Sequence, residues 1–158
     1  MALTNCNRRP VILCYSQTGN TAALAEQIRE LAGHPDPAVH LNPHPDDIKT
    51  VMNGATSLMI GTYSWGDGQI PERFLPVLEA VITHMKQDVP VGVFGTGDRF
   101  YPSFCGAVDE LSARLSEHVD VLATLKIELM PQAGDTNAIR SFLHQLHTGT
   151  DPITDNDS

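Results

Sequence analysis

Apolar runs alternate along this chain with segments whose apolar residues fall at helical spacing. PVILCY (Pro10–Tyr15) is continuous, as expected of a strand covered on both faces of a parallel sheet. SLMIGT (Ser57–Thr62), VPVGVFG (Val89–Gly95) and Val119–Met130 read as further strands, and PAVHLNP, bounded by prolines, as a short one between the first two. Between them Leu24, Ile28 and Leu31 space as a helix that Gly33 stops. Asp46–Met52 offers a short second helix. Phe74, Leu78, Val81 and Ile82 make a third, which Pro76 should kink rather than end. Phe104, Val108, Leu111 and Leu115 form the stripe of a fourth, and Ile139, Phe142, Leu143 and Leu146 that of a last. Five strands alternating with five helices imply a parallel sheet with helices on both faces. Ligands of such sheets sit beyond the carboxyl ends of the strands, where the strand order reverses. The informative residues should therefore follow strands one, three and four.

Composition narrows what could sit there. The 158 residues suit one domain, read here as 10–148 between a lead (1–9) and a polar tail (149–158). Ten Lys+Arg against 19 Asp+Glu give a net charge of −9, which disfavours nucleic acid and suits basic protein partners. Cys6, Cys14 and Cys105 form neither a disulfide framework nor a CxxC metal site, so a reducing, cytoplasmic setting is expected. LTNC resembles a lipoprotein cleavage box and Arg8-Arg9 a twin-arginine signal, but neither has the apolar region a signal needs. No run reaches transmembrane length. His40 and His44 are separated by Pro43, and no metal site is expected.

Three loops carry the chemistry. In the first, Ser16, Gln17, Thr18, Gly19, Asn20 and Thr21 place hydroxyls and a tight turn before a helix whose first N–H groups carry the positive end of its dipole. That suits an anion, and phosphate is the expected one. Without the lysine of GxxxxGK(S/T), and without GxGxxG, the loop suits a single phosphate as a mononucleotide presents it. A helix start capped by Thr18 or Asn20 is the equal structural alternative. In the second loop, after Thr62, Tyr63, Ser64, Trp65, Gly66, Asp67 and Gly68 hold the chain's one tryptophan among glycines and an acid, placed to lie against a flat ring. The third, GTGDRFYPSFCGAVDEL (Gly95–Leu111), offers close backbone approach at Gly97 after Thr96, an acceptor at Asp98 and a second stacking aromatic at Tyr101. Phe104 starts the helix stripe and is expected in the core, and Cys105 reads as a small helix-face residue.

SQTGNT, YSWGDG and GTGDRFYPSFCGAVDEL, in that order, resemble the phosphate, tryptophan and tyrosine loops of short-chain flavodoxins, over about Pro10–Leu146. The resemblance implies a flavodoxin-like three-layer α/β sandwich, its five-stranded parallel sheet in the order 2-1-3-4-5. It implies noncovalent FMN and a low-potential one-electron carrier, cytoplasmic and monomeric, that shuttles between a reductase and an acceptor enzyme and is not itself an enzyme. By similarity, Ser16, Thr18, Asn20 and Thr21 bind the phosphate, and Trp65 and Tyr101 stack on the two faces of the ring. Asp98 accepts from the ring N3–H, and backbone including Cys105 meets the pyrimidine edge. The Gly66–Asp67 peptide matches the one that flips in the family on one-electron reduction.

Two residues depart from the family pattern. Arg99 stands where small or acidic residues are usual; a cation at the flavin edge should raise the potential, and its replacement by Ser or Asp should lower it. Tyr63 stands where a small hydroxyl residue often touches phosphate. The alternatives weighed are a flavodoxin-like activator of ribonucleotide reductase and a flavin-dependent quinone reductase. The activator tends to have an Asn-containing glycine loop where this chain has GTGDRFY and to lack its tryptophan loop, and the reductase needs a longer chain. A receiver-like signalling module would want acids where SQTGNT and TYSW stand, and a scaffold without flavin would not need the two aromatic walls.

Overall fold

A computed structural model describes residues 8–66, 68–100 and 103–148. Strand β1 is Pro10–Tyr15, as its apolar run predicts, and helix α1 follows at Asn20–Ala32. Next come β2 (Ala38–Leu41), a 3-10 turn at Pro45–Asp47, α2 (Ile48–Met52) and β3 (Ser57–Tyr63). A second 3-10 turn, Glu72–Phe74, leads into α3 (Leu75–His84), and β4 (Val91–Gly97), α4 (Gly106–Ser116), β5 (Val121–Glu128) and α5 (Thr136–Thr148) complete the order. The five strands are parallel in the order β2-β1-β3-β4-β5. Strand order reverses at β1 and β3, so the carboxyl ends of β1, β3 and β4 share one edge, as the alternating pattern requires.

Strand residues alternate between two apolar layers. Val11, Leu13, Leu58, Ile60, Val91 and Val93 pack under α2, α3 and α4 with Phe74, Leu78, Leu111 and Leu115. Ile12, Cys14, Met59, Phe94 and Leu125 pack against α1 and α5 with Leu24, Ile28, Ile139, Phe142 and Leu146. Full burial of each such side chain is worth about 1.5–3 kcal/mol. The central β3 is buried for its first six residues, while on β5 Thr124, Lys126 and Glu128 are exposed and alternate with buried Ala123, Leu125 and Ile127. Coverage on both faces explains why β3 reads as an unbroken apolar run and β5 does not.

Several expectations shift by a few residues. β4 starts two residues later than VPVGVFG suggests: Pro90 has no N–H for the ladder, though its carbonyl still accepts from Leu58 N at 2.9 Å. Thr96 and Gly97 are therefore the end of the strand rather than its loop, opposite Tyr63 on β3 and Glu128 on β5. Pro76 is the second residue of α3, where an N–H has no intrahelical acceptor, so the proline opens the helix instead of kinking it. Phe104 does not start the α4 stripe; it lies two residues before Gly106 and is half-buried at the margin of the core.

Candidate functional site

The phosphate-type loop is held by four hydrogen bonds of its own. Leaving β1, Ser16 donates its N–H to Asn42 Oδ1 at 2.7 Å, and Asn42 donates its own N–H to Cys14 O at 2.7 Å. Ser16 Oγ then accepts from the N–H groups of Gly19 (3.2 Å) and Ala22 (3.3 Å). Gly19 is the N-cap of α1 at φ 99°, ψ −13°, a conformation that disfavours any residue with a Cβ. Neither Thr18 nor Asn20 caps the helix, and its first turn carries no acid. The N–H groups of Gln17, Thr18, Asn20 and Thr21 have no hydrogen-bond partner among the described residues. These amides lie at or just before the positive end of a 13-residue helix, equivalent to roughly half an elementary charge. Ser16 Oγ takes the third helical N–H, that of Ala22, and the N–H groups of Asn20 and Thr21 ahead of it keep donor capacity of the kind an anion can use.

The hydroxyl of Thr21 is committed elsewhere. Thr21 is 1 % and Thr96 3 % exposed, and their Oγ1 atoms lie 2.7 Å apart, joining α1 to the end of β4. The two halves of the candidate site thus meet in a buried hydroxyl pair.

The tryptophan loop turns tightly: Trp65 N donates to Gln69 O at 2.8 Å and Gln69 N to Trp65 O at 2.7 Å. The Trp65 side chain stays 56 % exposed, a large apolar surface with no core to cover it. Ser64 Oγ accepts from Ala107 N at 3.1 Å, anchoring the loop to the start of α4, and Thr62 Oγ1 donates to Tyr63 O. Gly68, at φ 104°, presses on the third loop; a Cβ there would lie 2.7 Å from Ser103 Cβ. Tyr63 stacks on Tyr15, ring centroids 6.2 Å apart and planes 21° off parallel, and burial raises the pKa of its phenol. Tyr15 in turn rests on Phe74 at 5.5 Å.

In the third loop Asp98 is half-buried and its Oδ1 accepts from Phe100 N at 2.9 Å. Arg99 lies with its guanidinium 4.4 Å over the Phe104 ring and donates from Nε to Glu128 Oε1 at 3.1 Å. Cys105 is not a helix-face residue. It is the N-cap of α4 at φ 50°, 1 % exposed, with Sγ 3.8 Å from both Gly95 O and Ile127 O. Burial pushes its thiol up to about 11, and that of Cys14, under the first loop, to about 12. Asp67 and Tyr101, expected in the site, lie outside the described residues.

A cavity of about 810 Å³ coincides with the expected site only in part. Ser16, Gln17, Tyr63 and Trp65 line it, but residues 18–21 and 96–98 do not; its far wall is Leu75 of α3 and Glu110 and Arg114 of α4. The unpartnered amides lie beside this cavity, which only Gln17 among them lines.

Sequence reasoning missed two groups. Asn42 directly follows β2 and Tyr15 ends β1, so the carboxyl-end rule could have found both. Phe100 (94 %), Leu129 (48 %) and Met130 (49 %) are exposed apolar side chains that no sequence pattern singled out; just past β5, Leu129 N–H donates to Gly97 O at 2.7 Å.

A family model described as flavodoxin matches residues 12–142. The chain is 32 % identical over 140 residues to a probable flavodoxin 2 of Bacillus subtilis (strain 168), covering 86 % of this chain and 93 % of that protein. It is 33 % identical over 131 residues to a flavodoxin of Nitratidesulfovibrio vulgaris, covering 77 % and 86 %. Among solved structures, oxidised flavodoxin 2 from Bacillus cereus superposes with a TM-score of 0.73 at 25 % identity, over 89 % of this chain and 99 % of that one.

Proposed function

The chain belongs to the flavodoxin family, whose members are electron carriers of the FMN type rather than classical enzymes. From that premise we propose that it is a low-potential carrier that moves one electron at a time between a reductase and an acceptor enzyme, as a cytoplasmic monomer. The observation that carries the reading is the set of four amides, Gln17, Thr18, Asn20 and Thr21, that lack partners at a helix start whose N-cap is a glycine. A phosphate monoester fits such a donor set without a lysine or arginine, because the amides and the helix dipole supply the positive field.

Bound there, FMN supplies the redox chemistry, and the protein supplies stacking, hydrogen bonds and electrostatics. The loop amides hold the phosphate; Thr21 contributes its N–H, its hydroxyl being paired with Thr96. Tyr63 packs on Tyr15, so the cradle relies on backbone where a small hydroxyl would otherwise reach. Trp65 offers an uncovered aromatic face, and Asp98, whose Oδ1 takes the Phe100 N–H, would have Oδ2 left to accept from the ring N3–H; Tyr101, expected to stack on the other face, lies outside the described residues. Of the other residues expected at the site, Thr62 and Cys105 are buried and Ser64 holds Ala107 N–H, so they brace the loops. Gly66, at φ 56°, gives the Gly66–Asp67 peptide freedom to reorient. The carboxylate of Asp98 would disfavour added negative charge on the ring, which would lower the potential. Arg99 opposes this effect weakly, because Glu128 pairs with the guanidinium. The net charge of −9 favours basic-surfaced partners, and no helix among the described residues is long and apolar enough to cross a membrane.

The test is stepwise anaerobic reduction of the FMN-loaded protein, followed by visible absorption. A long-lived blue, one-electron-reduced species is expected. Direct bleaching in one two-electron step would point to a reductase instead, and no flavin uptake after incubation with FMN would overturn the assignment.

A further inference from the structure

We propose that Asn42, directly after β2 and outside all three loops, is a positioning residue that makes the site prefer a phosphorylated flavin. The inference rests on the FMN reading above and extends it to a residue that follows a different strand. Asn42 grips β1 at two points: its N–H donates to Cys14 O, and its Oδ1 accepts from Ser16 N, both at 2.7 Å. To do both it adopts φ 46°, a left-handed conformation that asparagine tolerates better than most residues with a side chain. Ser16 is the hub of the loop, since its Oγ receives the N–H groups of Gly19 and Ala22.

A chain of hydrogen bonds thus runs from β2 through Ser16 to the first turn of α1. It removes the Ser16 N–H from the donors available to a ligand and fixes the backbone that presents the N–H groups of Gln17, Thr18, Asn20 and Thr21. Binding a phosphate on a loop already in place avoids the ordering cost that a loose loop would add. The effect belongs to the phosphate alone: the isoalloxazine ring is met by Trp65 and Asp98 on other loops.

Three variants separate the contributions. Asn42→Gly keeps the left-handed backbone and removes the acceptor, Asn42→Ala removes both, and Asn42→Asp keeps an acceptor while adding a negative charge beside the anion site. Binding of FMN and of riboflavin, which lacks the phosphate, is measured by quenching of flavin fluorescence, and melting of the flavin-free proteins is followed alongside. Asn42→Gly and Asn42→Ala should weaken FMN roughly five- to tenfold, the range for one lost hydrogen bond, and riboflavin less than about twofold on the same scale. Asn42→Asp should weaken FMN selectively and more so at low ionic strength, because salt screens the added repulsion. An unchanged FMN-to-riboflavin ratio, or a fall in both affinities that tracks the loss of melting temperature, would overturn the assignment of Asn42. If the wild-type protein binds neither flavin, the FMN reading itself fails, which the variants alone could not produce.

Discussion

At the phosphate end of the proposed site the donors are the backbone amides of Gln17, Thr18, Asn20 and Thr21, carried on one strand-to-helix junction that Asn42 and Ser16 brace. At the ring end the groups are side chains, Trp65 and Asp98, on two separate loops that reach each other through Gly68 against Ser103 and Ser64 Oγ against Ala107 N. The first end depends on local geometry and so tolerates varied side chains. The second depends on which side chains stand on the loops and on how the loops pack. Thr21 and Thr96 are where the two ends touch.

Breaking that touch has the largest expected effect. Thr21→Val leaves the buried Thr96 hydroxyl without its partner and should cost about 1–3 kcal/mol of stability by denaturant unfolding. Thr96→Val should cost a similar amount, and the double variant should recover much of the loss, since both polar groups are then gone. Trp65→Ala tests the ring end alone. Its side chain is more than half exposed, so melting should barely move, while FMN and riboflavin should both lose about 1–3 kcal/mol of binding, the range for one stacked ring. Equal losses for the two flavins distinguish this end from the phosphate end.

Gly19→Ala is the matching test on the other side. A Cβ there meets no atom within 4 Å, so the strain of φ 99° is the whole effect, about 1–2 kcal/mol. Fluorescence titration should show FMN weakened more than riboflavin. At the margin of the ring end, Arg99→Ser should lower the midpoint potential only slightly, because Glu128 already balances the cation, and Glu128→Gln should raise it. Potentiometric titration of the FMN-loaded variants checks both signs.

The buried thiols are a control on which the two ends should agree. Cys14 under one and Cys105 under the other are raised to about 12 and about 11 by burial. Both stay protonated in the folded protein while unfolded thiols ionise near 9.0, so their contribution to stability is complete below that value and is lost as pH climbs through 11 and 12. Iodoacetamide at neutral pH should leave the peptides carrying Cys14 and Cys105 unmodified until denaturant is added, as mass spectrometry would show.

The contrast between the ends also explains what the sequence disclosed. β1 and β3 were legible because full coverage on both faces forces continuous apolar runs, and Trp65 because glycine neighbours cannot cover a large ring. The ends of β4 and β5 were not, since ladder pairing with a neighbour, not composition, decides whether Thr96 or Leu129 is strand. Phe104 fits the helical spacing of α4, yet Cys105 turns left-handed and starts the helix after it. The Arg99–Glu128 pair, Tyr63 on Tyr15 and Asn42 on Ser16 join residues 29, 48 and 26 positions apart, and no local pattern encodes such contacts.

The most direct test of the site is a set of amide NMR spectra of the flavin-free protein titrated with FMN. The largest changes should fall on the N–H groups of Gln17, Thr18, Asn20 and Thr21 and on the Trp65 indole. Changes centred instead on Arg73, Glu110 and Arg114, around the 810 Å³ cavity, would contradict the account.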